Sequence, residues 1–402
     1  MIPFSPPRID QKIIDEVVDT LQSGWITTGP KTKLFEKKLT AYIGNQATVC
    51  LNSATAGMEL MLRWFGVGEG DEVIVPAYTY CATANVVLHC GATPVMADVS
   101  SNFNVTASNI DKLITTKTKV IMPVDIGGYP CDMDALMELV NRNDVKAKFQ
   151  AKSEVQKKLG RILVLSDSAH SIGAEYKGNK VGAIADVSVY SFHAVKNLTT
   201  AEGGAVALNL PKPFDNEAIY KQLCITSLHG QSKDALSKTQ VGAWRYDVAE
   251  AGYKCNMTDI SAAIGLVELA RYDDDTLVKR KNIIDKYHSA FKQYSWYEAP
   301  PQDCEDYRSS NHLFLLRIKG INEATRDRII EGISKEQVSV NVHFQPLPML
   351  SVYKNMGYDI NQFPITFDNY QREITLPVFY NLTEEQQDTV INVVVENIEA
   401  CL

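Results

Sequence analysis

The feature that most limits the possible folds is a series of short apolar runs, rich in β-branched residues, in the first half of the chain. The runs occupy residues 47–49, 72–75, 94–97, 120–124, 162–165, 187–190 and 204–208. Most are bounded by Gly, Pro or Asp, and several are separated by segments with helical spacing of apolar residues. This alternation is typical of a mainly parallel sheet covered by helices, so we predict an α/β fold. Because ligands bind at the carboxyl ends of such strands, the residues that follow each run are candidates for chemistry.

Two packed units are expected from the length of 402 residues and from a change of pattern late in the chain. Residues 1–265 are predicted to form a large domain and residues 266–402 a smaller α+β domain. Outside the seven runs, apolar spacing predicts helices at 10–21, 34–42, 262–286, 323–332 and 384–400, and strands at 313–318 and 338–342.

Charge and cysteine usage exclude several classes of protein. A net charge of -8 argues against nucleic-acid binding, which depends on Lys and Arg. The first residues lack the pattern of a signal peptide, and no apolar run approaches membrane-spanning length, so we expect a cytoplasmic protein without membrane insertion. The eight cysteines form no Cys-x-x-Cys pair and have no clustered His partners, which argues against a disulfide framework and a metal site.

Two charged segments each allow two interpretations. The basic segment 141–161 is typical of a solvated helix or surface insertion, although a basic binding site for a partner is the alternative. The acidic run Asp273–Asp275 suggests metal binding at first sight, but it lacks the spacing of an oxygen-ligand loop, and a solvated helix face is favoured.

A single lysine, Lys196, lies in a polar loop between two predicted strands, ahead of the Gly203–Gly204 pair. Glycines at such a point allow two backbones to approach closely. An amine in a partly dry pocket at a strand end can have a lowered pKa and condense with a carbonyl. Taken alone, a lysine is far more often a solvated surface group, and that interpretation stays open at this point.

Asp167 follows directly after the run at 162–165, where an isolated carboxylate would be costly to bury. A protonated pyridine nitrogen would supply the positive partner. A helix N-cap is the alternative role for an Asp in this position.

Two more segments also follow predicted strands. Asn52–Gly57 consists mostly of small residues and opens a helix, so its N–H groups are suited to binding a phosphate. Tyr80 follows the run at 72–75 and can stack on a flat ring, with core packing as the alternative. Neither a dinucleotide-binding glycine fingerprint nor a Walker motif is present.

Together these segments resemble the sugar aminotransferases of the DegT/DnrJ/EryC1/StrS family, which are fold-type-I, aspartate-aminotransferase-like pyridoxal-phosphate enzymes. The resemblance covers nearly the whole chain and implies a mainly parallel mixed sheet in the large domain and a smaller α+β C-terminal domain. It implies that Lys196, in Ser-Phe-His-Ala-Val-Lys, forms the Schiff base with pyridoxal 5'-phosphate and moves the proton. It also implies that Asp167 pairs with the pyridine nitrogen and that His170 lies near the cofactor's 3-oxygen.

The same resemblance assigns the remaining cofactor contacts. Tyr80 would stack on the ring, while the backbone of Thr55 and Ala56 and the hydroxyl of Ser191 would hold the phosphate. Asn256 would reach the phosphate of the neighbouring subunit, which implies a homodimer with shared active sites.

For the substrate, the resemblance implies an amino group moved from L-glutamate to a nucleotide-linked keto-deoxy sugar, with C4 of a UDP-4-keto-6-deoxyhexose favoured. Such products serve surface-polysaccharide or glycan biosynthesis. Thr28 and His343 are similar to positions that line the sugar-nucleotide pocket.

Three other functions are alternatives to this one. A sugar dehydratase of the same family has His in place of the lysine, so Lys196 argues against it. A cysteine desulfurase would need a mobile catalytic cysteine, and no suitable loop is apparent. A non-catalytic cofactor-binding regulator on the same fold is the third.

Overall fold

A computed structural model of the chain describes residues 1–232 and 246–402. The helices are Gln11–Gln22 (α1), Pro30–Ile43 (α2), Ala54–Phe65 (α3), Ala82–His89 (α4), Ala107–Asp111 (α5), Met133–Asn141 (α6), Asn143–Lys148 (α7), Glu154–Leu159 (α8), Asn216–Thr226 (α9), Asp259–Ala270 (α10), Val278–Phe291 (α11), Glu323–Lys335 (α12), Ser351–Asn355 (α13), Pro364–Arg372 (α14) and Glu384–Glu399 (α15). The strands are Ala47–Leu51 (β1), Glu72–Pro76 (β2), Thr93–Ala97 (β3), Thr118–Ile121 (β4), Leu163–Asp167 (β5), Glu175–Tyr176 (β6), Asn179–Lys180 (β7), Val187–Ser191 (β8), Gly204–Leu208 (β9), Tyr297–Glu298 (β10), Tyr307–Arg308 (β11), Phe314–Ile318 (β12) and Glu373–Leu376 (β13).

The central sheet has seven strands in the order β1-β9-β8-β5-β4-β2-β3. Strands β8, β5, β4, β2 and β3 run parallel, whereas β9 is antiparallel to both β8 and β1. Each of the seven apolar runs forms one of these strands, and the predicted α/β fold with a mainly parallel mixed sheet is confirmed. The strands are almost wholly buried, as expected for a sheet covered on both faces.

The C-terminal region contains a second sheet, β10-β12-β13, packed against α11, α12 and α15. Its apolar cluster also includes Ile2 from the start of the chain, while Leu347, Tyr353 and Phe363 pack in the core of the large sheet. The predicted boundary between two domains at residue 265 therefore stays a proposal. Residues from each side of this boundary pack in the core of the other side.

The predicted strand at 338–342 is wrong. Val338 forms an isolated bridge with Ile2, and Asn341 forms another with Thr375. The segment divides its backbone hydrogen bonds between two partners, so no continuous ladder forms.

The predicted helix at 262–286 is interrupted. A π-helical turn at 272–277 separates α10 from α11 and carries the acidic run. Asp275 pairs with Arg8 at 2.7 Å, and Tyr42 donates to Asp273, so these carboxylates are engaged by the protein. Within 1–232 and 246–402, no group of three or more His, Cys, Asp and Glu side chains is arranged to hold a metal ion.

The basic segment 141–161 forms the short helices α7 and α8, and most of its Lys side chains are exposed. Inward contacts of Gln156, Lys152 and Arg161 fix it, the last through its buried ion pair with Asp186. The buried Gln156 amide donates to the Phe65 carbonyl at the end of α3 (3.0 Å), and Lys152 pairs with the buried Asp71 at 2.7 Å. The segment is thus a solvated surface insertion that these inward contacts anchor.

None of the helices in the described residues is both long enough and apolar enough to cross a membrane.

Candidate active site

A cleft of about 420 Å³ opens at the carboxyl edge of the central sheet. Its walls come from the ends of β5 and β8, the start of α3, the loop between β8 and β9, and the C-terminal segments around residues 312 and 343. Residues far apart in sequence meet here because the parallel strands all end at this edge.

The N-terminus of α3 reaches the cleft because Gly204 leaves room for it. A Cβ on Gly204 would lie 2.4 Å from the Ala54 nitrogen, a distance that no other residue tolerates. Ser53 caps the helix, and its hydroxyl accepts the Ala56 N–H at 3.1 Å. Thr55 lines the cleft, as does Ser191 at the end of β8, whereas Ala56 does not line it and its N–H is engaged by the Ser53 cap. The first turn of α3 and the Ser191 hydroxyl thus offer donors to an anion.

Asp167 ends β5 and is only 5% exposed. Its carboxylate accepts the Thr83 hydroxyl at 2.8 Å and the Ala169 N–H at 3.2 Å. Burial raises the pKa of Asp167, and the two hydrogen bonds together with the Lys196 charge oppose that rise. The carboxylate is thus set for a positive partner inside the cleft.

Lys196 lies in the β8–β9 loop and lines the same cleft as Asp167. Burial lowers the pKa of its amine to about 8, against the opposing attraction of the Asp167 carboxylate. A substantial fraction of the amine is therefore neutral near physiological pH, which a nucleophilic amine requires.

His170 presents one defined ring nitrogen to the cleft. The Gly127 N–H donates to its Nδ1 at 3.2 Å, so the neutral ring carries its proton on Nε2. Burial, together with the positive charge of Lys196, holds the His170 pKa well below its usual range. The ring is a hydrogen-bond donor toward a ligand oxygen.

Tyr80 and His343 also line the cleft. Tyr80 is 58% exposed, and its ring centroid lies 5.7 Å from that of Phe344. The His343 ring stacks on Phe4 with centroids 5.4 Å apart.

Thr28 and Asn256 do not line the cleft of their own chain. They bond to each other, since the Asn256 amide donates to the Thr28 hydroxyl at 2.6 Å. The Thr28 hydroxyl in turn donates to the Met257 carbonyl at 2.5 Å. The structure thus groups these two predicted residues with each other and leaves them out of the cleft lining, to which seven other predicted residues belong.

Several residues that line the cleft were not predicted from the sequence, among them Phe4, His312 and Phe344. His312 lies 4.4 Å from His170 between ring centroids, and its Nδ1 lies 2.8 Å from Oδ1 of Asn197, the residue after Lys196. The one signal in the sequence was its position just before the predicted strand at 313–318. That strand belongs to the C-terminal region, so nothing local tied it to the central sheet.

These residues fit pyridoxal phosphate. A buried carboxylate suits a protonated ring nitrogen, a partly neutral amine suits the aldehyde carbon, and the His170 N–H suits a phenolic oxygen. The α3 N-terminus and the Ser191 hydroxyl suit a phosphate.

Comparison with known proteins agrees with this geometry. Residues 7–395 match the DegT/DnrJ/EryC1/StrS aminotransferase family. Spr1654 of Streptococcus pneumoniae, an inferred sugar aminotransferase solved in PMP and PLP forms, is similar to this chain at a TM-score of 0.96 and 47% identity in the PMP form, with 100% of both chains covered. The spore coat polysaccharide biosynthesis protein SpsC of Bacillus subtilis is 35% identical over 98% of this chain and 96% of its own. PseC of Helicobacter pylori, an aminotransferase in pseudoaminic acid biosynthesis, matches at a TM-score of 0.86 and 28% identity over 99% of both chains.

A match over nearly the whole chain, together with a cleft that fits the cofactor, leads to one conclusion. The chain belongs to the DegT/DnrJ/EryC1/StrS aminotransferase family, has the fold-type-I architecture, and uses pyridoxal phosphate as its cofactor.

Proposed function

We propose that this protein transfers an amino group from L-glutamate to a nucleotide-linked keto-deoxy sugar, at C4 of a UDP-4-keto-6-deoxyhexose. The product would enter surface-polysaccharide or glycan biosynthesis in the cytoplasm. The similarity to SpsC and PseC supports the biosynthetic context.

The observation that carries the proposal is the shared cleft of Lys196 and Asp167. A buried carboxylate and an amine whose pKa is lowered to about 8 lie within electrostatic reach of each other. An ordinary structural ion pair would raise the pKa of the lysine, whereas here burial outweighs the carboxylate. A lysine whose pKa is lowered in this way is better suited to a chemical role than to a stabilising ion pair.

When bound, pyridoxal phosphate supplies a carbonyl that condenses with amines and a ring that withdraws electrons from the reacting carbon. Asp167 would hold a positive charge at the ring nitrogen, and His170 would donate to the ring oxygen. Lys196 would take a proton from one carbon and return it to another, which its pKa near neutrality permits in both directions. His312 and Asn197 hold the loop that carries Lys196, since the Asn197 amide donates to the Ser310 carbonyl at 2.7 Å.

The experiment is an amino-transfer assay with L-glutamate and a panel of UDP-, TDP- and GDP-linked 3-keto and 4-keto sugars, read by NMR of the product. We expect the fastest turnover with the UDP-4-keto-6-deoxy sugar, with nitrogen at C4. Turnover confined to another nucleotide or to C3 would overturn the substrate assignment. Loss of water without nitrogen transfer would instead identify a dehydratase, and binding of the cofactor without any turnover would favour a regulator.

We further propose a homodimer in which Thr28 and Asn256 complete the partner's cleft. Their absence from the lining of their own cleft supports this arrangement. Apolar side chains nearby are also exposed in the single chain, among them Ile14, Val18 and Ile26.

Mixing two inactive variants tests the shared site. Lys196→Ala and Asn256→Ala chains, unfolded together and refolded, would form mixed dimers with one intact site. We expect activity to reappear in the mixture and not in either variant alone. A monomer by light scattering, or mixed dimers without activity, would contradict the proposal.

A further inference from the structure

We propose that Glu373, Thr375 and His343 form a proton relay that serves the substrate part of the cleft. His343 would be the group that touches the substrate, while Thr375 and Glu373 would be positioning residues behind it. The inference rests on the proposed function, because it takes the acceptor's carbonyl to be bound beside His343.

The three side chains form a continuous chain of hydrogen bonds. Nδ1 of His343 lies 3.0 Å from the Thr375 hydroxyl, and that hydroxyl lies 2.5 Å from Oε1 of Glu373. The other carboxylate oxygen of Glu373 accepts the backbone N–H of His343 at 3.1 Å. Glu373 and Thr375 are both fully buried, and His343 lines the cleft, so the chain leads from the interior to the cleft wall.

Backbone contacts hold the three relay residues in position. Glu373 and Thr375 are two residues apart on β13, so both side chains lie on the same face of the strand. Thr375 and Asn341 exchange backbone hydrogen bonds at 2.7 and 3.1 Å, which holds the segment before His343 against β13. The Tyr78 hydroxyl donates to the His343 carbonyl at 2.6 Å.

A hydroxyl has one proton, and this makes the relay directional. If Glu373 is ionised, the Thr375 hydroxyl donates to it, so Nδ1 of His343 must carry a proton and Nε2 is an acceptor. If Glu373 is protonated, it can donate to Thr375, whose proton then points to Nδ1, and Nε2 carries the ring proton. The state of the buried carboxyl therefore decides whether the cleft meets a donor or an acceptor on His343.

Burial keeps charge off the imidazole. Desolvation, together with the positive Lys196 in the β8–β9 loop, lowers the pKa of His343 to about 3. Desolvation raises the pKa of Glu373 to about 8, although hydrogen bonds from Thr375 and the His343 backbone and the charges of Arg326 on α12 and Arg317 on β12 oppose the rise. Tyr78, His170 and His312 also lie near the relay, and burial holds all three neutral. Within the relay, the group that titrates near neutral pH is thus the Glu373 carboxyl. A group with such a pKa can both donate and accept a proton.

The step that the relay would serve is addition of the primary amine that carries the transferred nitrogen to the acceptor's carbonyl carbon. The nitrogen lone pair forms the C–N bond, and the carbonyl π pair takes the proton from Nε2 of His343. The imidazole recovers a proton from Thr375 through Nδ1, and Thr375 recovers one from Glu373. The products are a cationic nitrogen, a neutral hydroxyl and an ionised Glu373, so atoms and charge balance.

The ring tautomer is the first measurement, because it needs no substrate. In full-length protein with ¹⁵N-labelled histidine, NMR should find the His343 ring proton on Nε2 below about pH 8 and on Nδ1 above it, by the carboxyl's titration. In Glu373→Gln the tautomer should no longer change with pH. A wild-type tautomer that is constant from pH 6 to 10, or one that changes equally in Glu373→Gln, would overturn the relay.

Kinetics with the sugar acceptor are the second measurement. Thr375→Val should lower kcat by roughly 10²-fold with little change in KM, and should remove the decline of kcat near pH 8. Thr375→Ser, which restores the hydroxyl, should recover most of the rate. Thr366→Val is the matched control, because Thr366 is fully buried and its hydroxyl has no hydrogen-bond partner within the described residues. An equal loss in Thr375→Ser and Thr375→Val would contradict the relay.

The two proposals fail separately. A pH-dependent tautomer in a protein that transfers no nitrogen would overturn the proposed function and leave the relay's geometry standing. Nitrogen transfer with a fixed tautomer would overturn the relay alone.

Discussion

The amino and carboxyl edges of the neighbouring parallel strands β5 and β8 each hold a buried aspartate, and the two carboxylates have different partners. At the amino edge, Asp186 is paired with Arg161 by two hydrogen bonds of 2.7 Å each, and it also accepts the Val164 N–H at 3.0 Å. Both members of this ion pair are almost completely buried. Every oxygen of the carboxylate is satisfied by the protein itself, which makes the pair part of the scaffold.

At the carboxyl edge, Asp167 accepts hydrogen bonds from a hydroxyl and a backbone N–H. No Lys, Arg or His nitrogen in the described residues lies within 4 Å of its carboxylate. Lys196 faces the same cleft at longer range, and burial lowers its pKa to about 8. The same two strands therefore carry a direct ion pair, Asp186 with Arg161, and a pair of charges that share a cleft without direct contact, Asp167 and Lys196. The second pair marks the reacting site.

The largest expected effect is the loss of activity in Lys196→Ala, by about 10⁴-fold or more, because Lys196 is the one lysine among the described residues that line the cleft. Steady-state rates and the visible absorption of the bound cofactor measure it, and the absorption band should disappear. Lys221→Ala on the exposed face of α9 is the control and should keep both. Substantial residual activity in Lys196→Ala would mean that the carboxyl edge of the sheet does not hold the reacting amine.

The next effect is on stability at the other edge. Arg161→Leu leaves Asp186 buried without its cation, and we expect the free energy of unfolding to fall by about 3–5 kcal/mol. Urea titration measures this, and the rate of the protein that remains folded should be nearly unchanged. Arg142→Leu, which breaks exposed pairs with Asp111 and Asp144, should cost far less. Equal losses in the two variants would mean that the buried pair is not part of the scaffold.

Asp167→Asn should show the reverse pattern. The activity should fall by roughly 10²-fold and the cofactor should bind more weakly, because the ring nitrogen loses its counter-charge. The stability of the cofactor-free protein should stay the same or rise, since a desolvated carboxylate becomes neutral. A loss of stability as large as that of Arg161→Leu would assign Asp167 to the scaffold instead.

The smallest effect is a pH dependence of stability. Well below pH 8 the Lys196 amine is protonated in both folded and unfolded chains, and its burial is unfavourable. Between pH 8 and the ordinary lysine pKa the folded chain loses the proton first, so stability should rise with pH in that window. Urea unfolding of cofactor-free wild type and Lys196→Met should show the stability advantage of the variant shrinking from pH 8 to pH 10. A constant difference would mean that the amine is not desolvated.

Some of this protein could be predicted from its sequence. The seven strands, the position of Lys196 between β8 and β9 and that of Asp167 at the end of β5 follow from periodicity and from residues next to one another. The predicted strand at 338–342 failed because its apolar pattern is real but its hydrogen bonds go to Ile2 and Thr375. A pattern in one segment contains no information about which distant backbone is free to pair with it.

Local pattern therefore determined the order of the elements, the sheet type and the two residues at the strand ends, since all of these depend on neighbours in the chain. Only the tertiary structure decided that His312 and His343 line the same cleft as Lys196, that Glu373 and Thr375 stand behind His343, and that Thr28 and Asn256 do not line their own cleft. The physical reason is that these contacts join segments more than a hundred residues apart in many cases. Their side chains meet only after the C-terminal region has packed against the carboxyl edge of the sheet.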